Sequence, residues 1–179
     1  MIIPAYNEEE SILNTVMSIV EYRKKVDFDL DYVVINDGSV DRTKEILDSH
    51  HLNAIHLVMN LGIGGAVQTG YKYALEKDYD VAVQFDGDGQ HDIESLDALL
   101  EPIRHQKADL VVGSRFIGDK SSEFQTTFMR RFGINIISAF IKLTTGTRIL
   151  DTTSGYRLAN RDIIRQFAAR YPIKYPEPE

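Results

Sequence analysis

Apolar residues along this chain alternate between two patterns. Short unbroken blocks end on Gly, Asn, Asp or Pro, and longer stretches return apolar residues at helical spacing. The blocks read as buried strands: Ile2 and Ile3 up to Pro4, Asp31 to Gly38, Asn53 to Asn60, Val81 to Phe85, and Ala108 to Gly113. Between them, Asn7 is the predicted N-cap of a helix with Glu8, Glu9 and Glu10 in its first turn, facing the positive helix end. That helix carries Ile12, Leu13, Val16, Ile19 and Val20 on one face and runs out near Lys24. A second helix, capped from within Ser39 to Thr43, reaches about His50. A third follows Gly62-Ile-Gly-Gly-Ala66 and turns Val67, Tyr71, Ala74 and Leu75 inward. Asp92 opens a fourth with Ile93, Leu96, Leu99 and Leu100. Strands alternating with helices predict an α/β domain with a mostly parallel sheet and helices on both faces.

Beyond the fifth block the pattern changes. Residues 117–127 read as a polar loop, and Phe128 to Leu143 as a helix with Met129, Phe132, Ile136, Ile137, Phe140 and Ile141 on its apolar side. That side is shorter than the roughly 20 residues a bilayer requires. Burial against the sheet is the first expectation for it, and a membrane-surface role the second. Leu150 to Arg157 reads as a strand and turn before a last helix, Asp162 to Arg170. No repeat or linker divides the chain, so one domain is expected over 1–179. Its ending on Tyr175-Pro-Glu-Pro-Glu179, without a cap, suggests a domain cut from a longer protein.

Composition narrows the function. With 43% apolar and 26% charged residues the chain is an ordinary globular sequence. A net charge of -7 argues against a general nucleic-acid binder, which needs a basic face. There is no cysteine, hence no disulfide and no thiolate metal site. A phosphate-bearing ligand would have to be held locally, by a cation or a few basic residues.

The stretch Val81-Ala-Val-Gln-Phe-Asp-Gly-Asp-Gly-Gln-His91 supplies such a place. Asp86 and Asp88 sit at the carboxyl end of a predicted buried strand, where open α/β sheets bind ligands. Two carboxylates turned to one point repel unless a cation or shared proton relieves them. Mg²⁺ or Mn²⁺ fits, taking oxygen from Asp86, Asp88 and the amide of Gln90 and leaving positions for substrate phosphates. The alternative is a strand-end turn whose aspartates only cap the next helix. Asp37, also followed by glycine, ends the second strand and suits hydrogen bonds from a base or ribose, or capping through the Gly-Ser turn. Asp151 is a candidate base for an acceptor's proton. Arg115, Arg130, Arg131 and Arg157 are candidate phosphate ligands, with Arg115 favoured because it closes a strand. His91 is expected beside the ion, not on it. Gly62, Gly64 and Gly65 only partly match the dinucleotide fingerprint, since Val67 stands where its third glycine belongs.

These motifs together resemble one family. Ile2-Ile-Pro-Ala-Tyr-Asn-Glu-Glu9, Ile35-Asn-Asp-Gly-Ser39 with Asp41 and Thr43, Asn60-Leu-Gly-Ile-Gly-Gly-Ala66, Asp86-Gly-Asp-Gly-Gln-His-Asp92, Gly113-Ser-Arg115 and Asp151-Thr-Thr-Ser-Gly-Tyr-Arg157 are similar, in that order, to the family-2 glycosyltransferases of GT-A (Rossmann-like) fold. Within them the likeness is to the dolichol- or polyprenol-phosphate sugar synthases. The resemblance implies an inverting, metal-dependent transfer of a sugar from a nucleotide-diphosphate donor to a polyprenyl phosphate or a glycan hydroxyl, at the cytoplasmic face of a membrane. It implies that Pro4, Tyr6, Glu8, Ile35 and Asp37 bind the nucleoside and that Asp86, Gly87, Asp88 and Gln90 hold the diphosphate and a Mg²⁺ or Mn²⁺ ion. Arg115 would bind phosphate or acceptor, and Asp151 would be the catalytic base. The later Gln-x-x-Arg-Trp motif of the processive polymer synthases is missing, because the chain has no tryptophan. Two alternatives stand beside this: a non-catalytic nucleotide-sugar-binding domain, and a sugar nucleotidyltransferase, whose Gly- and Arg/Lys-rich first loop is replaced here by Tyr6-Asn-Glu8.

Overall fold

A computed structural model of the chain describes residues 1–86, 93–113 and 155–172. The elements are β1 (Ile2–Ala5), α1 (Ile12–Arg23), β2 (Val33–Asn36), α2 (Thr43–Ser49), β3 (Ala54–His56), α3 (Gly62–Glu76), β4 (Val81–Gln84), a 3₁₀ turn (Ile93–Ser95) leading into α4 (Leu96–Arg104), β5 (Leu110–Val112), β6 (Arg157–Asn160) and α5 (Arg161–Ala169). The strands form one sheet in the order β3-β2-β1-β4-β6-β5. β1 pairs in parallel with β2 and β4, and β2 with β3. β6 runs antiparallel between β4 and β5. The sheet is therefore mostly parallel, as its sequence pattern predicts; its one reversed strand, Arg157–Asn160, begins where the expected Leu150 to Arg157 strand and turn was to end, and residues 150–154 of that stretch lie outside the described residues.

Strand side chains alternate between faces, and the two faces carry separate cores. Ile3, Ala5, Val34, Val83, Phe85 and Leu158 pack against Ile12, Val16 and Ile19 of α1 and Leu96 and Leu100 of α4. Ile2, Val33, Ile35, Ala82 and Ala159 pack against Val67, Tyr71 and Ala74 of α3 and Ile164 and Ala168 of α5. Each fully buried aliphatic side chain contributes about 1.5–3 kcal/mol.

Four local expectations are corrected. The first helix begins at Ile12, beyond the predicted cap at Asn7. The third strand closes at His56, because Val58 and Met59 turn out to solvent as the chain crosses back toward β2. α3 starts at Gly62, so Gly64 and Gly65 lie buried inside a helix. Leu75 is 41% exposed, one position off the inward face that Val67, Tyr71 and Ala74 share. The expected 117–127 loop and the Phe128 to Leu143 helix lie outside the described residues.

Candidate active site

At the carboxyl edge of the sheet the loops after β1 and β2 are joined to each other. Asn7 N donates to Ser39 Oγ at 3.0 Å, and Val40 N donates to Asn7 Oδ1 at 2.9 Å. Glu8 N reaches Thr43 Oγ1 at 2.8 Å, Glu9 N reaches Asp41 Oδ2 at 3.1 Å, and Arg42 N reaches Glu9 Oε2 at 2.9 Å. Asn7 adopts the left-handed conformation, φ 58°, which asparagine tolerates better than most residues. This explains the displaced helix start: the side chain expected to cap α1 is engaged by the neighbouring loop instead. Asp41 is held as a carboxylate, its pKa lowered by hydrogen bonds from Thr43 and from the Glu9 amide that outweigh its desolvation.

Asp37 follows β2 and is 2% exposed. Its N–H donates to Ala5 O, and its Oδ1 accepts from Leu61 N at 2.7 Å. A buried carboxylate is tolerable only when bonded in this way. Gly38 beside it has φ +66°, and a Cβ there would lie 2.8 Å from Asn60 N and from Met59 C. The β2 turn and the β3–α3 loop therefore touch backbone to backbone, and the Asp-Gly pair is required at that point. Asn36, also 2% exposed, accepts from Ser39 N through Oδ1 at 3.1 Å and lies 3.0 Å from His56 Nδ1 through Nδ2. Its place before Asp-Gly was visible in the sequence. The partnership with His56 was not, because the histidines have no informative spacing.

The other predicted nucleoside residues fall as follows. Pro4 is buried in β1 opposite Ile35 of β2. Ile35 is fully buried with Ile2, Val67 and Tyr71, so its side chain belongs to the core. Tyr6, 46% exposed, stands just past β1. Glu8 is half-buried, and its Oε2 accepts from Ser11 Oγ at 2.5 Å.

Asp86 lies on the same edge, at the end of β4, behind the buried Phe85 whose N–H donates to Ile2 O. The antiparallel β6 matters here. Its first residue, Arg157, is in register with Gln84 of β4 and Val112 of β5, so Gly155 and Tyr156 arrive between the ends of those strands. Phe85 and Tyr156 pack edge to face at 5.3 Å, and Gly113 N donates to Tyr156 O. The Asp86 carboxylate rests on Gly155: a Cβ there would come within 2.0 Å of Asp86 Oδ2. Gly155 was quoted within a motif, but its role had no sequence signal. Arg157 and Asp86 both act on Tyr171, whose hydroxyl donates to Gln84 Oε1 at 3.3 Å. Burial raises the Tyr171 pKa, the Arg157 guanidinium opposes that, and the Asp86 charge adds to it.

Asp37, Asp86 and Arg157 thus share one edge. Gly87, Asp88, Gln90, His91, Arg115, Arg130, Arg131 and Asp151 lie outside the described residues. Among the described residues no group of three or more His, Cys, Asp or Glu could hold a metal ion, and the one predicted ligand described is Asp86. A cavity of about 770 Å³ opens at the opposite, amino edge, where Met1, Asp31, Tyr79 and Val81 line it.

A family model described as Glycosyl transferase family 2 matches residues 1–167. The undecaprenyl-phosphate mannosyltransferase of Micrococcus luteus is 35% identical over 170 residues, covering 92% of this chain and 67% of that protein. The polyprenol monophosphomannose synthase of Mycolicibacterium smegmatis is 28% identical over 173 residues, covering 93% of this chain and 63% of its own. Among solved structures, glucosyl-3-phosphoglycerate synthase from Mycobacterium tuberculosis in complex with Mn²⁺ and UDP-glucose aligns with a TM-score of 0.64 at 21% identity, over 90% of this chain and 55% of that one. That likeness is one of fold. The chain spans about half to two thirds of the length of these proteins.

Proposed function

Because this chain belongs to glycosyl transferase family 2 and has the GT-A fold, we propose that it carries out a metal-dependent, inverting transfer of a sugar from a nucleotide-diphosphate donor to a polyprenyl phosphate or a glycan hydroxyl. The observation that carries this reading is the convergence on one sheet edge of the bonded Asp37 loop and the Asp86 carboxylate seated on Gly155. Two carboxylates on the strand ends either side of β1, one of them buried and bonded to the β3–α3 loop, support a nucleoside held beside a hard cation. The names of the relatives, several of them polyprenyl- or dolichyl-phosphate sugar transferases, support the acceptor class.

In this reading Asp37 accepts hydrogen bonds from the base or ribose, with Tyr6, Glu8 and the backbone of Pro4 and Ile35 bounding the nucleoside. The loops that hold them are cross-bonded before any ligand arrives, so little ordering entropy is lost on binding. Asp86, Asp88 and Gln90 are the ligands of a Mg²⁺ or Mn²⁺ ion, and the observed Asp86 fits: an oxygen donor with its position set by Gly155 suits a hard cation. When bound, that ion neutralises charge growing on the diphosphate leaving group. Gly87 lets the chain pass close to the phosphates, and Arg115 and Arg157 add charge-assisted hydrogen bonds to them. Asp151 takes the proton of a hydroxyl acceptor, whereas a phosphate acceptor is already anionic and needs no base. The acceptor class also favours work at the cytoplasmic face of a membrane; among the described residues no helix is long and apolar enough to cross one.

Calorimetric titration of UDP, GDP and dTDP in Mn²⁺, followed by a hydrolysis and transfer assay with the preferred donor, tests the proposal. Nucleotide-dependent transfer to polyprenyl phosphate or a glycan is the expected result. Tight nucleotide binding with the donor left intact under every acceptor would instead make this a binding domain. Asp151→Asn separates the acceptors, since the loss should be severe on a hydroxyl and slight on a lipid phosphate.

A further inference from the structure

Asn36 and His56 are register partners on β2 and β3, on the sheet face that α2 covers, and their side chains form a chain of hydrogen bonds. Ser39 N–H can only donate, so the Asn36 oxygen faces Ser39 and its amide NH₂ faces His56 Nδ1. That fixes the imidazole. Nδ1 must be the bare, accepting nitrogen, and the ring proton sits on Nε2, which donates to Asp48 Oδ1 at 3.0 Å. The other Asp48 oxygen takes Lys44 Nζ at 2.6 Å, and these interactions hold Asp48 ionised, with its pKa lowered. Asn36 also uses its backbone oxygen to accept from Gly38 N and Leu57 N. One residue thus ties the β2 turn to the edge strand β3.

We propose that the Asp48–His56–Asn36 relay is a proton-sensitive clasp in which His56, acting through Asn36, positions the Asp37 loop for the nucleotide. Among the described residues, the charged groups facing the His56 ring are Asp48 and, behind it, Lys44, both on α2. β2 presents the neutral Asn36 amide. A second proton on the ring is welcome to Asp48 but puts an N–H on Nδ1, opposite the Asn36 NH₂. Two donors cannot share that line, so the amide turns over, its oxygen leaves Ser39 N–H, and the turn that presents Asp37 loses one of its ties. Nucleotide affinity then falls in acid for a reason independent of the metal site.

The role in nucleotide binding rests on the function proposed above, so the experiment has two arms. In the ligand-free protein, nitrogen-detected imidazole NMR should find His56 protonated on Nε2 alone at neutral pH, and the Ser39 amide resonance should move together with the His56 titration. A proton on Nδ1 at neutral pH, or a Ser39 amide indifferent to that titration, would overturn the clasp whatever the protein binds. In the second arm, titrations of UDP and GDP in Mn²⁺ from pH 8 to pH 5 should show an affinity loss of about five-fold attributable to one neutral hydrogen bond. His56→Gln keeps an acceptor without a titrating group and should remove that component. Asn36→Asp can accept from Ser39 N–H and from a doubly protonated ring together, and should also hold its affinity into acid. Parallel acid losses in the wild type and both variants would overturn the positioning role. Failure of UDP and GDP to bind at any pH would count against the proposed function, and the first arm would still decide the clasp.

Discussion

At the amino edge of the sheet, Arg23 and Asp31 meet at 3.2 Å with their side chains 54% and 45% exposed, and Arg161 reaches Asp78 at 2.9 Å. At the carboxyl edge, Asn36 and Asp37 are each 2% exposed and Thr43 is fully buried, and each is bonded to the backbone of another loop or to its own turn. The amino edge has the 770 Å³ cavity, with an apolar floor that includes Ile2, Val83 and Leu100. The carboxyl edge has the buried side chains of Asn36, Asp37 and Thr43. Exposed ion pairs contribute little and can rearrange, whereas a buried polar group is costly unless its partners are in place. The difference teaches that the candidate site proposed at the carboxyl edge is marked by preorganised polarity and not by cavity volume.

The contrast can be broken most sharply at Asp86. Asp86→Ala should lower sugar transfer about a hundred- to a thousand-fold, with far-ultraviolet circular dichroism like that of the wild type. Transfer at the normal rate would remove the carboxyl edge from the chemistry. Gly155→Ala tests the same carboxylate from beneath: the new Cβ would force Asp86 aside, and a misplacement near 1 Å lowers turnover about a hundred-fold. Steady-state kinetics at saturating Mn²⁺ would read it. Gly38→Ala addresses the junction of the loops. A left-handed alanine with its Cβ against Asn60 and Met59 should destabilise the fold by about 1–3 kcal/mol, as measured by urea unfolding.

Smaller effects are expected where the edges differ least. Burial raises the pKa values of Tyr71, Tyr79 and Tyr171, that of Tyr79 to about 12 with help from its hydrogen bond to Asp31. The unfolded chain loses these protons near pH 10 while the folded protein keeps them. Their contribution is thus complete below pH 10 and is lost as pH rises from there, that of Tyr79 by about pH 12. Urea midpoints across that range should fall, and less steeply in Tyr79→Phe. The smallest change belongs to the amino edge, where Arg23→Ala should shift stability by about 0.5 kcal/mol or less and leave transfer alone.

Part of the candidate site could be read before folding. The blocks ending in Asp37 and Asp86 were legible as strand ends because an apolar run that stops at Asp-Gly marks a turn. The cap role given to Asn7 failed because a short polar side chain serves a helix end or a neighbouring loop equally well, and only the fold decides which is near. Leu75 failed for a related reason: at the end of α3 the inward face has already turned past it. Nothing local marked His56, since its meaning lies in Asn36 and Asp48 on two other elements.

Local chemistry by itself determined the strand and helix alternation, the parallel β1 to β4 core and the acids at its strand ends, because periodicity, Gly and Asp act over a few residues. Only the tertiary structure decided that β6 enters in reverse between β4 and β5, that Gly155 comes to lie beneath Asp86, and that Asn36 grips His56. Those contacts join residues distant along the chain. Their energy comes from burial and hydrogen bonding that exist only once the sheet has assembled.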